Sequence, residues 1–376
     1  MTSFELRTHQ DIIDFTTGCC FFGTGGGGDP KIGEQLLQDV LSAGKKIRIV
    51  DSSELQDETS TICPFLMGSS GPDTLALQQT RKFYGLIQKT VSNMSEAAAR
   101  LLLTQAKVKL GAVVPIEIGG AATASAVATA AWLDVPTLDG DYAGGRSLPE
   151  ISQFLPAING LKYCPLVSVD AYDNQVYILQ ATNSLMEERL GKLVASASYS
   201  LAGQAGLLLP YKKVRSCIEY GTLYRAFCLG KALREAKTQG QDMIQCVTKT
   251  INAQLIISGK IVEINGTEKE NYYIGEHIIA GEGDFHPHRV KIWFKNEYLQ
   301  LWWNGRPYVL SPDFICIVSY LTGRPMINSQ VKQGDQVAIF AIPAPSLLVS
   351  KNALKFLDPR YFGFDFDYAS FSTQHR

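Results

Sequence analysis

Gly23-Thr24-Gly25-Gly26-Gly27-Gly28-Asp29-Pro30 is the stretch on which the fold reading turns. A run of glycines favours neither helix nor strand, because each one loses much conformational freedom on ordering and brings no side chain to pack. Pro30 suits a first helical position, and Asp29 suits the cap before it. A helix therefore starts at Pro30, with Ile32, Leu36, Leu37, Val40 and Leu41 on one apolar face. Upstream, Thr8 and Asp11 have the spacing of a capping box and open an earlier helix to about residue 17. A short apolar run, Cys19 to Phe22, separates that helix from the glycines. Downstream, 46–50 and 62–67 read as strands, followed by helical stretches at 73–91 and 95–107. Residues 112–116 read as a buried strand, and Gly119-Gly120 introduces an Ala/Thr/Ser-rich helix to Trp132. A last strand, 135–138, ends in Asp139-Gly140-Asp141. Strands alternating with helices predict an α/β domain with a largely parallel sheet over residues 1–165.

The pattern changes beyond residue 165. Strands are read at 166–169 and 175–179, and helices near 221–253. From Gly259 onward, short strands alternate with turn signals at Asn265-Gly266, Asn304-Gly305, Gly323 to Pro325 and Gly334-Asp335. Strands at 290–294 and 299–303 flank Lys295-Asn296-Glu297. Residues 166–376 thus read as a β-rich domain carrying inserted helices.

Composition narrows the function classes. The chain has 376 residues, 35 basic and 36 acidic, for a net charge of -1, which disfavours nucleic acid as a partner. No apolar run reaches ~18 residues, so no membrane span is expected. The first residues are polar and carry acids, which reads as neither a signal nor a transit peptide. The eight cysteines include no C-x-x-C pair, and the reading is reduced thiols in a cytoplasmic protein. The pattern leaves a homo-oligomer open.

Three readings compete for the glycine run. Gly23, Gly25 and Gly28 satisfy a dinucleotide fingerprint, with Asp51 near the place of its ribose-binding acid. Asp29 at the helix cap counts against that, because it would repel a pyrophosphate. Alternatively, the amides of Gly25, Gly26, Gly27 and Gly28 form an anion nest for a substrate carboxylate or an oxyanion, with Asp29 and Arg146 beside it. The third reading is a tight turn without a ligand. Glu117, Asp139, Asp141 and Glu150 follow strand ends, where ligands bind in open α/β sheets, and are the candidate acids and bases. Converging carboxylates also suit a divalent metal, as do His286 and His288 across Pro287. Cys19 or Cys20 would be a nucleophile if a helix end lowered its pKa.

Gly23 to Pro30, Glu117-Ile118-Gly119-Gly120, Asp139-Gly140-Asp141 with Arg146, and Pro149-Glu150 together resemble the S-methyl thiohydantoin desulfurase-like family, formerly DUF917. Gly259-Lys260-Ile261, Lys295 to Glu297, Ser311-Pro312-Asp313 and Asp358 to Gly363 extend the resemblance over nearly the whole chain. Two positions depart from the family pattern: Ala121-Ala122 stand where an Asn is usual, and the run from Asp139 to Glu150 is one residue longer. The resemblance implies an N-terminal α/β domain, a β-rich C-terminal domain, and hydrolysis of a hydantoin- or thiohydantoin-type ring at C–S or C–N. Water or a transient thiolate would attack the ring carbon, with oxyanion stabilisation from Gly25 to Gly28. The alternatives are a non-catalytic subunit or ligand-binding partner of a hydantoinase-type complex, and, further off, a nucleotide-dependent enzyme.

Overall fold

The computed structural model describes residues 3–68 and 73–371. In the first half, strands β1 (Phe4–Leu6), β2 (Ile47–Val50), β3 (Ser60–Met67), β4 (Ala112–Val113) and β5 (Thr137–Leu138) enter one sheet. Strand β6 (Gly140–Asp141) leaves it, and β7 (Leu166–Asp170), β8 (Gln175–Ile178) and β9 (Ala202–Pro210) rejoin it. The eight strands lie in the order β1-β2-β5-β4-β3-β9-β7-β8. The parallel part is the centre, β2-β5-β4-β3. Strand β1 on one side and β9, β7 and β8 on the other run antiparallel. The connections explain the difference. Helices Leu75–Phe83 and Met94–Ala106 cross from β3 to β4, and helix Ala122–Trp132 crosses from β4 to β5. Parallel neighbours need such crossovers, whereas β7 and β8 are joined by a short turn at the left-handed Asp173.

The rest of the chain forms an antiparallel sheet. After β10 (Glu219–Tyr220), which pairs with β6, come helices Thr222–Thr238 and Met243–Ile251. Strands β11 (Gln254–Lys269), β12 (Tyr272–Gly281), β13 (Arg289–Lys295), β14 (Glu297–Trp303), β15 (Arg306–Leu310), β16 (Phe314–Ser319) and β17 (Gln336–Ile342) follow. Their order is β15-β14-β13-β12-β11-β17-β16, over a core that includes Ile257, Ile292, Leu301 and Ile339.

The caps read from sequence are present. Thr8 and Asp11 close a capping box, and Asp29 caps a helix with Pro30 in its first turn. Four local expectations are corrected. The apolar run Cys19 to Phe22 is the end of helix His9–Phe22, so the glycines join two helices. The expected 112–116 strand stops at Val113. The 73–91 helix forms only over Leu75–Phe83. Asn265-Gly266 lies inside β11; the hairpin turns instead at Glu270 and Asn271, with φ of 52° and 62°. Two left-handed residues suit a two-residue turn that matches the twist of the flanking strands.

Helix His9–Phe22 is held by the helix Thr222–Thr238. A Cβ on Gly18 would lie 1.7 Å from the Ala226 carbonyl oxygen, and one on Gly230 would lie 1.7 Å from that of Asp14. The helices therefore touch backbone to backbone, which fixes where the first one delivers the glycine loop.

Candidate functional site

A cleft of about 680 Å³ is lined from both halves of the chain. Gly25, Gly27, Gly28, Asp29 and Glu117 face it from the first half, and Asn271, Asn296 and Glu297 from the second. Phe65, Met67, Ile116 and Leu148 supply apolar wall.

Close packing accounts for the glycines. Gly25, Gly27 and Gly28 have φ of 90°, 68° and 78°, which side chains rarely adopt. A Cβ on Gly27 would meet Gly119 Cα at 2.4 Å, and one on Gly26 would meet Glu297 Oε1 at 1.8 Å. The Gly27 carbonyl accepts from the amides of Ala121 and Ala122, and the Gly26 amide donates to the Gly23 carbonyl. Among the described residues, the amides of Gly27 and Gly28 have no hydrogen-bond acceptor. The fingerprint's strand is absent, because a helix enters the loop, and the dinucleotide reading loses its structural context. Asp29 accepts from the Lys31 amide at 2.9 Å while lining the cleft.

The carboxylates divide. Glu117 and Glu297 meet across Ser147, whose Oγ lies 2.8 Å from Glu117 Oε2 and 2.8 Å from Glu297 Oε1. The Leu148 amide also donates to Glu117 at 3.2 Å. A hydroxyl has one proton to give. Only one carboxyl can accept from Ser147; the other must itself carry a proton and donate it. The pair therefore holds one proton between two acids. Burial, then the neighbouring Glu297, pushes Glu117 well above the usual carboxylate range. Burial pushes Glu297 up to about 7, against the downward pull of Ser147, Arg146 and Lys192. Two buried acids this close cannot both ionise, which is how one site comes to hold an acid and a base.

Asp139 and Asp141 are not brought to the cleft wall. Asp139 Oδ1 accepts from the Leu223 and Tyr224 amides at 2.9 and 3.2 Å, at the start of helix Thr222–Thr238. Asp141 Oδ1 accepts from the Ala143 and Gly145 amides at 2.7 and 3.1 Å. Burial raises both, Asp141 to about 7. Glu150 is likewise off the cleft wall, ion-paired with Lys295 and accepting from Tyr361 Oη at 2.5 Å.

Arg146 is fully buried. Its five N–H groups go to the carbonyls of Ser147, Pro312, Asp313 and Tyr298 and to Thr24 Oγ1, at 2.7–3.2 Å. It clamps the glycine loop to the second sheet and has no donor left for a ligand.

The metal and thiolate readings find no support in this geometry. Among the described residues, no three His, Cys, Asp or Glu side chains gather to hold a metal. His286 and His288 lie in a loop outside the cleft, where His288 accepts from Asn304 and packs on Trp303. Cys19 and Cys20 are buried in their helix, where burial pushes both thiols up, Cys20 to about 12. All eight cysteines are unpaired.

The family model for the S-Me-THD-like N-terminal domain matches residues 10–180, and that for the C-terminal domain matches 182–371. The chain belongs to the S-Me-THD-like family. Membership suggests a hydantoin-related enzyme. A crystal structure of a protein from Chromobacterium violaceum is similar throughout, at 20% identity and a TM-score of 0.75, covering 98% of this chain and 100% of that one. At that identity the likeness shows the fold. No curated protein matches the chain. No helix among the described residues is long and apolar enough to cross a membrane.

Within this family member, sequence reasoning reached Glu117 and the loop but missed Ser147, Glu297 and Lys192. Lys192 lines the cleft from helix Ser184–Ala197, donating to the Asn271 carbonyl at 3.0 Å and lying 3.3 Å from the Tyr272 ring centroid. The available signal for Glu297 was the Lys295-Asn296-Glu297 turn: an acid directly after a left-handed Asn, with φ of 60°.

Proposed function

We propose that this chain hydrolyses a hydantoin- or thiohydantoin-type five-membered ring, with Glu117 and Glu297 as the acid–base pair. The observation that carries the reading is the Ser147 hydroxyl, 2.8 Å from both carboxyls in the wall of a cleft large enough for such a ring. With an S-methyl thiohydantoin, the ionised member of the pair takes a proton from water as the oxygen attacks the ring carbon bearing sulfur. Negative charge develops on the ring and falls to the amides of Gly27 and Gly28. The protonated member gives its proton to the departing sulfur. A C–O bond forms, the C–S bond breaks, and methanethiol leaves. The ring retains the oxygen and second hydrogen of water as a lactim, which becomes the hydantoin lactam. Ser147 then returns the proton between the acids and resets the pair.

Asp139, Asp141 and Glu150 support this reading as framework: Asp141 holds the turn at 143–145 that leads into Ser147 and Leu148, Asp139 caps helix Thr222–Thr238, and Glu150 ties the same loop to Lys295 and Tyr361. The test is thiol release from an S-methyl thiohydantoin, followed with a colorimetric thiol reagent, for wild type, Glu117→Gln, Glu297→Gln and Ser147→Ala. Each glutamine should lower kcat by ~10²–10⁴. Full activity in either glutamine variant would refute the assignment, and no turnover of any hydantoin or thiohydantoin by wild type would refute the function.

A further inference from the structure

A chain of polar contacts runs from a buried histidine behind Glu297 to the Asn296 and Gly25 backbone at the cleft wall. His277 on β12 is fully buried, and its Nε2 lies 2.9 Å from Asn328 Oδ1. The Asn328 side-chain amide donates to the Asn296 carbonyl, and its backbone N–H donates to the Gly25 carbonyl at 2.8 Å. Asn296 immediately precedes Glu297, and Gly25 immediately precedes the glycine that packs on the Glu297 carboxyl. One asparagine thus ties both sides of the Glu297 carboxyl together.

The orientation of that asparagine is decided elsewhere. A primary amide has a donor end and an acceptor end. With the donor end on Asn296, the acceptor end needs an N–H facing it, which only a protonated Nε2 of His277 supplies. The ring is held at 4.7 Å from Phe294 and 5.9 Å from Tyr298. The Tyr298 ring in turn lies where a Cβ on Gly25 would be, 2.5 Å from it. Burial holds the imidazole down to about 4, so it is neutral at ordinary pH, with its proton on Nε2. Nδ1 then needs no acceptor, and among the described residues it meets no partner. A flipped amide would set Asn328 Oδ1 against the Asn296 carbonyl oxygen and release the turn that presents Glu297.

We propose that Asn328, oriented by His277, is a positioning residue that sets the distance between Glu297 and Ser147 and so the sharing of the proton. This rests on reading Glu117 and Glu297 as the reactive pair, and the test separates the two. His277→Leu keeps the bulk and removes the N–H; in His277→Gln, the side-chain Nε2 takes the place of the imidazole Nε2–H. Two readouts are taken on each variant. One is the infrared band of protonated carboxyls, titrated with pH and assigned to the pair by its loss in Glu297→Gln. The other is kcat and KM for thiol release.

We expect His277→Leu to displace the titration midpoint and to lower kcat ~10-fold with KM nearly unchanged, because misplacing a reacting group by a fraction of an ångström costs rate rather than binding. His277→Gln should restore both. Packing alone would not distinguish leucine from glutamine in this direction, since leucine suits the apolar surroundings better. Should His277→Leu not fold, Asn328→Asp replaces it: it keeps an acceptor for His277, loses the donor to Asn296, and should displace the midpoint likewise. A wild-type midpoint in the leucine or aspartate variant, or glutamine no better than leucine, overturns the proposal. If wild type turns over no thiohydantoin, the function falls, and the titration alone decides the positioning role.

Discussion

Glu117 and Glu297 on one side, and Asp139 and Asp141 on the other, are four acids withdrawn from water with little else in common. Burial raises all four. The aspartates follow β5 in one short segment and spend an oxygen each on backbone amides. The glutamates are 180 residues apart, counted from 117 to 297, and meet at a hydroxyl that can serve only one of them as donor. Backbone amides hold each aspartate oxygen in one place. A shared hydroxyl lets a proton move between two. Burial and a raised pKa are thus common to both pairs, and the hydroxyl shared by the glutamates separates them.

The comparison breaks first at the glutamates. Glu297→Gln should lower turnover by ~10²–10⁴ and leave the fold intact, measured as kcat beside a thermal melt. The same substitution at Asp141 should leave turnover within about threefold, because Asn Oδ1 still accepts from Ala143 and Gly145. Equal losses at both positions would erase the distinction.

Gly26→Ala comes next. Its methyl would press on the Glu297 carboxyl, 1.8 Å away, and activity should fall by about 100-fold with a melting temperature several degrees lower. In a Glu297→Ala background the same methyl meets space, so the stability loss should largely vanish. An undiminished loss in that background would place the clash elsewhere.

Asp141→Asn has a smaller effect on stability, with a sign that depends on pH. The folded pKa of Asp141, about 7, lies above its ordinary value of 3.8, so the folded state binds the extra proton. Its favourable contribution is present below pH 4 and is lost as pH rises through 7. Asparagine removes that loss. The variant should therefore gain stability relative to wild type between pH 4 and pH 7, by roughly 2–4 °C or more in melting temperature. A constant difference across that window would mean that Asp141 does not titrate there.

Asp139→Ala is the mildest case. It removes the cap acceptor for Leu223 and Tyr224 and should cost about 1 kcal/mol, with Asp139→Asn near wild type. A loss of turnover larger than this stability change would move Asp139 toward the chemistry.

Much of the scaffold was legible in the residues. Thr8 with Asp11, and Asp29 with Pro30, announce helix starts because capping is local: partners lie within three residues and the geometry follows from the chain itself. The alternation of apolar runs gave the α/β half and the β-rich half for the same reason. Where a reading failed, the deciding contact was distant. Cys19 to Phe22 could extend a helix or form a strand, and helix Thr222–Thr238, packed against Gly18, made it helix. Asn265-Gly266 had the residues of a turn, but cross-strand pairing with Glu276 and Gly275 kept it in β11.

The site shows the same division. Sequence by itself determined the family, the glycine loop, Glu117 as a candidate acid, and the helix starts at Thr8 and Asp29, since each rests on neighbouring residues. Only the tertiary structure decided that Arg146 is a clamp, that Asp139 and Asp141 are spent on backbone amides, and that Glu297 joins Glu117. Ser147 and Glu297 are 150 residues apart. No local propensity encodes such a meeting. It arises when the β13–β14 turn closes over the glycine loop, and the missing side chain of Gly26 leaves room for the carboxyl.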